Sequence, residues 1–256
     1  MKLIREIFFI TILFTGTTIF LLQSGCKNTQ TTGVQLANDS IVKNLQGEGN
    51  TLTFSFIAGR AHNHPTFAIW LETMEGEFIQ TLFVTKALAS GFFNYGEISD
   101  NEWDRKAGIA TRPAALPYWL HKKGEINSSG QILPTPENPI ADVYSGATPP
   151  ESFVLKVKSE KMLPQKFRVL VEINQSWDWN EYWTNSRYPD NAEYKTSCQP
   201  AVVYAVTVEL NGSIKEFFLN PIGHSHYAGE NGNLFTDLST LTSALQIMKS
   251  MKVSVE

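Results

Sequence analysis

The fold is decided by Thr66-Phe-Ala-Ile-Trp-Leu-Glu72, an almost continuous apolar run of strand length. The turn Glu75-Gly76-Glu77 follows, and Phe78-Ile-Gln-Thr-Leu-Phe-Val-Thr85 returns as a second, largely apolar run. Short runs of aromatic and β-branched residues on either side of a glycine turn are typical of a β-hairpin. The sequence therefore predicts two antiparallel strands within residues 66–85.

Alternating apolar residues predict further strands before and after this hairpin, because side chains two residues apart face the same side of a strand. These strands are Thr51–Ala58, Ser152–Val157, Phe167–Ile173 and Lys252–Glu256. A second hairpin, Ala201–Leu210 with Ile214–Leu219, is predicted around Asn211-Gly212, a favoured two-residue turn. Many short strands with turn signals predict a mainly β protein, an antiparallel immunoglobulin-like β-sandwich with long loops.

Two segments have helical patterns. Asn101–Lys106 is predicted to be one short helical turn. Asp237–Met251 is predicted to be a C-terminal helix, because three apolar residues recur there at helical spacing: Leu241, Leu245 and Met248. The segment 108–150 holds seven of the twelve prolines, and we expect it to be a long irregular crossing between two halves of the sandwich.

The N-terminus has the order of a secretory signal. Lys2 and Arg5 precede the apolar stretch Ile7–Leu22, and Ser24-Gly25-Cys26 follows. Small residues before a cysteine resemble a bacterial lipobox, which implies cleavage before Cys26 and a lipid on its thiol. The sequence therefore predicts a lipoprotein signal peptide at 1–25 and an extracytoplasmic chain anchored to a bacterial membrane. An uncleaved membrane anchor is the alternative.

The mature chain is predicted to be a flexible tether at 26–45, rich in Thr, Gln, Asn and Ser, followed by the β-sandwich at 46–256. The whole chain carries a formal charge of −4. The signal peptide contains two basic residues and one acidic residue, so its removal leaves −5. This mild acidity argues against nucleic acid as a partner.

Four of the five histidines form two pairs with one residue between the members. They are His62 with His64 and His224 with His226. In an extended strand, residues i and i+2 face the same side, so each pair could aim two imidazoles at one point. Together they would supply four nitrogen ligands for a transition metal such as Zn, Cu or Ni. The alternative is that they are surface or hydrogen-bonded histidines.

A dense aromatic and polar cluster lies between residues 176 and 183. Four aromatic residues could form a stacking platform for a sugar or a flat ligand: Trp177, Trp179, Tyr182 and Trp183. Asp178, Asn180 and Glu181 could hydrogen-bond that ligand or bind Ca²⁺. Exposed aromatic residues in such numbers are unfavourable unless something covers them. The alternative is that they pack the loop onto the sandwich.

Three stretches resemble an uncharacterised family of bacterial periplasmic proteins and lipoproteins. They are the hairpin strands quoted above, Arg112-Pro-Ala-Ala-Leu-Pro-Tyr-Trp119 and Asp142-Val-Tyr-Ser-Gly-Ala-Thr-Pro149. The resemblance covers most of residues 50–256. Members of that family occur beside genes for extracytosolic flavin transfer and iron reduction. The resemblance thus implies metal or electron handling at the cell envelope, with envelope redox proteins as partners.

The last of these stretches, Asp142-Val-Tyr-Ser-Gly-Ala-Thr148, also resembles the site at which a transferase attaches FMN to threonine in flavinylated redox subunits. This resemblance implies a phosphoester between FMN and the hydroxyl of Thr148. The alternative is a Ser-Gly turn that leads into the strand Ser152–Val157.

The sequence leaves three functions open and favours a binding protein over an enzyme. The first is an accessory lipoprotein that holds a transition metal at the four histidines. The second is a redox carrier with FMN on Thr148, and the third is a glycan-binding surface lipoprotein that uses the tryptophan cluster. A metal with an open coordination position would make the first of these catalytic.

Overall fold

A computed structural model describes residues 39–99, 102–103, 105–126, 130–141 and 144–256. The strands are β1 Asp39–Lys43, β2 Thr51–Ala58, β3 Thr66–Glu72, β4 Phe78–Thr85, β5 Phe92–Phe93, β6 Glu97–Ser99, β7 Glu102–Trp103, β8 Gly108–Ile109, β9 Ser145–Gly146, β10 Phe153–Lys158, β11 Lys166–Asn174, β12 Val202–Glu209, β13 Glu216–Phe218, β14 Asn220–His224 and β15 Met248–Val255. The helices are α1 Lys86–Ser90, α2 Pro117–Lys123, α3 Ala192–Ser197 and the 3-10 turn Ser243–Gln246.

Most of the strands lie in two sheets that face each other. Sheet A has the order β1-β10-β2-β15-β13, and sheet B has the order β14-β12-β11-β3-β4-β9. Neighbouring strands are antiparallel except at two edges, where β1 runs parallel to β10 and β9 runs parallel to β4. The mainly β class and the antiparallel β-sandwich are confirmed, and so is the hairpin of β3 and β4.

The core between the sheets is built on aromatic rings. Phe56 of β2 stacks on Phe153 of β10 with their centroids 4.4 Å apart. Phe67 of β3 meets both rings edge-on from the opposite sheet. All three side chains are fully buried, and burial of one such side chain contributes about 1.5–3 kcal/mol. The alternation of buried residues along β2 follows from this contact, because only one of its faces meets sheet B.

The segment 108–150 covers the outer face of sheet B. Its helix α2 brings Trp119 against the sheet, where the indole Nε1 donates to the Thr81 hydroxyl at 3.0 Å. Trp119 and Leu120 are buried in a second apolar cluster with Trp70 of β3. Sheet B is therefore buried on both faces. The segment contains β9 of sheet B and leads into β10 of sheet A, and its role as a crossing between two halves stays a prediction.

Glu172 holds the start of α2 against sheet B. Its two carboxylate oxygens accept hydrogen bonds from the backbone N–H groups of Tyr118 and Trp119, at 3.1 and 2.8 Å. These are N–H groups of the first helical turn, which have no partner within the helix. Burial raises the pKa of the Glu172 carboxyl to about 8, against the hydrogen bonds that lower it. The helix ends at Gly124, which has the left-handed conformation that favours glycine.

Both predicted helices are wrong. Asp237–Met251 contains only the short 3-10 turn, and its end is the start of β15. Met251 and Val253 of β15 point into the core beside β2. The helical spacing of the apolar residues was accidental, and pairing on both sides of β15 outweighs it. In the other predicted helix, Asn101 and Asp104 lie outside the described residues, and Glu102–Trp103 is the strand β7.

The second predicted hairpin is also wrong. The strands β12 and β13 form where expected, but β13 pairs with β15 in sheet A. The partner of β12 is β14 in sheet B. The turn at 211–212 therefore carries the chain from β12 in sheet B to β13, the edge strand of sheet A.

The N-terminal expectations fall mostly outside the described residues. The predicted signal peptide 1–25 and Cys26 lie there entirely. The predicted tether 26–45 overlaps β1, which pairs with β10 along Asp39–Lys43, so the sandwich begins before residue 46. Within the described ranges, none of the helices has the length and apolar character needed to span a membrane.

Candidate ligand-binding cleft

The tryptophan cluster lies on a long loop after β11. The loop is held by a short ladder of backbone hydrogen bonds to the end of α3. Trp177 N–H donates to the Thr196 carbonyl at 3.2 Å, and Asp178 N–H donates to the Ser197 carbonyl at 3.0 Å. The carbonyl of Asp178 accepts from Gln199 N–H at 3.0 Å. These bonds fix the backbone from which the tryptophan side chains project.

Two residues of this ladder have backbone conformations that are unfavourable for their side chains. Trp177 has φ 56° and Cys198 has φ 65°. A positive φ is uncommon for residues other than glycine, and it is strained for a bulky aromatic residue. Such strain persists only where surrounding contacts enforce it, and it concentrates at functional sites. The two strained residues lie at the same cleft.

The cleft has a volume of about 430 Å³ and an aromatic wall. Trp177 and Trp179 line it while remaining 46% and 59% exposed. Tyr95 is 51% exposed and meets Trp177 edge-on, with 6.4 Å between the ring centroids. The rest of the lining is Asn185, Ser186, Pro189, Lys195 and Cys198. This cleft thus combines exposed aromatic faces with a few polar groups, which is typical of a small-ligand site.

Asn180 organises the loop behind the cleft. Its carboxamide oxygen accepts from the backbone N–H groups of Tyr182 and Trp183 at 2.9 and 2.7 Å. Its nitrogen donates to the Thr240 carbonyl at 2.9 Å and to the Gln199 carboxamide oxygen at 3.1 Å. The side chain of Asn180 thus holds the loop through contacts with the protein, and ligand binding by Asn180 stays a prediction.

Asp178 also turns inward. Its carboxylate accepts a hydrogen bond from the Ser243 hydroxyl. The Ser243 oxygen in turn accepts from the Gln199 side chain at 2.6 Å. Burial raises the pKa of the Asp178 carboxyl. The second oxygen, Oδ2, is buried and has no hydrogen-bond partner among the described residues. Asp178 thus ties the loop to Ser243 at a position between the two exposed tryptophans.

Trp183 is part of the core. It is only 6% exposed, and its indole N–H donates to the Thr240 hydroxyl at 3.1 Å. Its ring packs against Tyr194, Tyr227 and His224. The predicted platform is thereby reduced from three tryptophans to two, because only Trp177 and Trp179 reach the cleft.

Cys198 lines the cleft as a thiol. Its side chain is buried, and burial raises its pKa to about 11. The thiolate is the nucleophilic form of cysteine, so a raised pKa disfavours reactivity. Cys198 therefore contributes shape to the cleft and little nucleophilic character.

The first histidine pair does not have strand geometry. His62 and His64 lie in the loop between β2 and β3, and His64 has φ 51°. The Nε2 of His62 lies 3.1 Å from the Pro149 carbonyl, which assigns the proton to that nitrogen. The exposed ring of His64 hydrogen-bonds the Asn63 side chain at 3.1 Å.

In the second histidine pair, His224 is the last residue of β14 and His226 lies beyond the strand. The rings of His224 and His226 both contact Phe235, at centroid distances of 5.4 and 6.1 Å. The Nδ1 of His224 donates to the Ser225 carbonyl at 2.8 Å. The Nδ1 of His226 accepts from two backbone N–H groups, at Ala228 and Glu230. The proton of a neutral His226 therefore lies on Nε2.

The two pairs lie apart across sheet B. In one row of the sheet, His224 is opposite Val202, Val202 is opposite Ile173, and Ile173 is opposite Phe67. Three strand spacings correspond to about 14 Å, and the ring of His62 lies beside Phe67. The described residues contain no group of three or more His, Cys, Asp or Glu side chains placed to hold a metal. The four histidines therefore do not appear as one group among the described residues, and metal binding by them stays a prediction.

Thr148 lies between β9 and β10 and is half-buried. Ser145 of the same motif is buried in β9, where it pairs with Val84. Asp142 lies outside the described residues. The attachment of FMN to Thr148 stays a prediction.

Several cleft residues were missed by sequence reasoning. Asn185, Ser186 and Lys195 stand in no periodic or motif relation to the tryptophans, and α3 carries Lys195 to the cleft only through the fold. The exposed aromatic wall was the one signal available in the sequence. Comparison with known proteins adds no further residue to the cleft. No protein family, no curated protein and no solved structure matches this chain.

Proposed function

We propose that this protein is an extracytoplasmic, lipid-anchored binding protein that holds a saccharide in the cleft of Trp177 and Trp179. The observation that carries the proposal is the pair of tryptophans kept exposed on a strained, tightly anchored loop. Exposure of two large aromatic faces is unfavourable in water, and a ligand that covers them offsets that penalty.

A saccharide fits this lining for a chemical reason. The flat face of a pyranose ring presents C–H groups, which lie favourably on the electron-rich face of an indole. Its hydroxyl groups remain at the edges, where Asn185 and Ser186 can exchange hydrogen bonds with them. The lining thus supplies stacking, hydrogen bonds and one positive charge.

The proposal is tested with the full-length chain in phosphatidylcholine nanodiscs on an array of bacterial and plant glycans. We expect binding by the wild type, and a loss of at least tenfold in affinity when Trp177→Ala and Trp179→Ala are combined. The matched control is Trp183→Phe, a conservative change at a buried ring outside the cleft. Absence of binding to every glycan, or equal binding by the double variant, would contradict the proposal.

Metal binding at His224 is a separate candidate. The Nδ1 hydrogen bond of His224 to a backbone carbonyl leaves Nε2 with the lone pair, an arrangement common in metal-ligating histidines. Calorimetric titration with Zn²⁺ and Cu²⁺, beside the variant His224→Ala with His226→Ala, tests it. An unchanged heat in the variant removes this candidate and leaves the saccharide proposal intact.

A further inference from the structure

Among the described residues that line the cleft, one side chain is charged. Lys195 of α3 lines it together with the two exposed tryptophans. The ammonium of Lys195 has no carboxylate within 4.0 Å and no hydrogen-bond acceptor within the described ranges. It is therefore available to a ligand.

The surroundings of Lys195 leave its charge uncompensated. Its neighbour on α3, Glu193, interacts electrostatically with the guanidinium of Arg112. Asp178 turns its carboxylate inward, where it accepts a hydrogen bond from the Ser243 hydroxyl. The whole chain carries a formal charge of −4, so a cationic cleft stands out against the rest of the protein.

We propose that Lys195 makes the cleft selective for anionic saccharides. This inference rests on the proposed function and names its substrate class. A sugar ring that stacks on Trp177 or Trp179 would place a carboxylate or sulfate substituent at the ammonium of Lys195. A hydrogen bond between two charged groups is about twice as strong as a neutral one. A neutral sugar of the same shape gains the stacking without this hydrogen bond.

The test uses matched pairs of polymers on the full-length chain in phosphatidylcholine nanodiscs. Polygalacturonate, alginate and hyaluronan are each measured beside their carboxyl-reduced forms, and dextran sulfate beside dextran. We expect the wild type to bind at least one anionic polymer about tenfold or more tightly than its neutral partner. The preference should weaken as salt is raised, because exposed charges are screened. Comparison of the three uronate polymers with dextran sulfate shows whether the preferred anionic group is a carboxylate or a sulfate.

Three variants locate the preference. Lys195→Gln is expected to lose the anionic preference while it keeps the affinity for the neutral partner, and Lys195→Arg is expected to keep the preference. Lys166→Gln, in β11 and outside the cleft, is the charge-matched control. Thermal unfolding of each variant confirms that the fold is intact.

The outcomes separate the two proposals. Equal affinity of the wild type for anionic and neutral partners overturns the inference and leaves saccharide binding in place. A preference that persists in Lys195→Gln also overturns it. Failure to bind any polymer here and any glycan on the array overturns both proposals.

Discussion

At the scale of single residues, Glu172 is the least expected group in the molecule. It is a carboxyl with no exposed surface, beneath α2. Its pKa is raised from the ordinary 4.5 to about 8, mainly because burial disfavours the charged form. The unfolded chain releases this proton near pH 4.5, whereas the folded chain keeps it up to about pH 8. The folded state therefore loses stability as the pH rises between these values.

Glu172→Gln is expected to remove this part of the pH dependence. One pKa unit corresponds to about 1.4 kcal/mol, so the wild type should lose several kcal/mol of unfolding free energy between pH 5 and pH 8. The variant should lose less, because glutamine has no proton to release. Urea unfolding at both pH values measures the difference. The control is Glu209→Gln, at an exposed position of β12, which should follow the wild type. If Glu172→Gln lost as much unfolding free energy between pH 5 and pH 8 as the wild type, the raised pKa of Glu172 would be contradicted.

A second prediction compares Asn180, which holds the tryptophan loop, with Asn185, which lines the cleft. Asn180→Ala is expected to lower the unfolding free energy by about 2–3 kcal/mol, because the N–H groups of Tyr182 and Trp183 lose their acceptor. Asn185→Ala is expected to change it by less than about 0.5 kcal/mol, since Asn185 is exposed at the cleft. Urea unfolding of the two variants makes the comparison. Equal effects would show that Asn180 does not hold the loop.

At the scale of elements, the decisive feature is β15, which lies between β2 and β13 in sheet A. Val253→Asp is expected to lower the unfolding free energy by more than about 4 kcal/mol, because it places an unpaired charge in the core. Lys249→Asp, at an exposed position of the same strand, is expected to be tolerated. Circular dichroism and urea unfolding give the readout. An unchanged unfolding free energy in Val253→Asp would contradict the burial of this side chain in β15.

At the scale of the whole molecule, the sandwich is predicted to be anchored outside the cytoplasm by a lipid on Cys26. The chain has two cysteines, so the second one supplies the control. Cys26→Ser is expected to abolish labelling by radioactive palmitate in a bacterial host and to move the protein out of the membrane fraction. Cys198→Ser should keep both the label and the membrane location. Labelling of Cys26→Ser would contradict lipid attachment at this residue.

Strands with a local hydrophobic pattern were predictable from the amino-acid sequence alone. β2, β3, β4, β10 and β11 alternate or run apolar in a way that only buried strands explain, and all five form within a few residues of the predicted bounds. The sequence also marked the exposed tryptophans of the cleft. Both features could be predicted because each depends on residues that are close together along the chain.

The pairing of the strands and the contacts between distant side chains became visible in the folded protein. β13 joins sheet A and β14 joins sheet B, although both follow the same turn in the chain. The C-terminal segment became β15 because two strands were available to pair with it. Lys195 reached the cleft because α3 ends against the tryptophan loop. Each outcome depends on contacts between residues distant in the chain, which local periodicity does not encode.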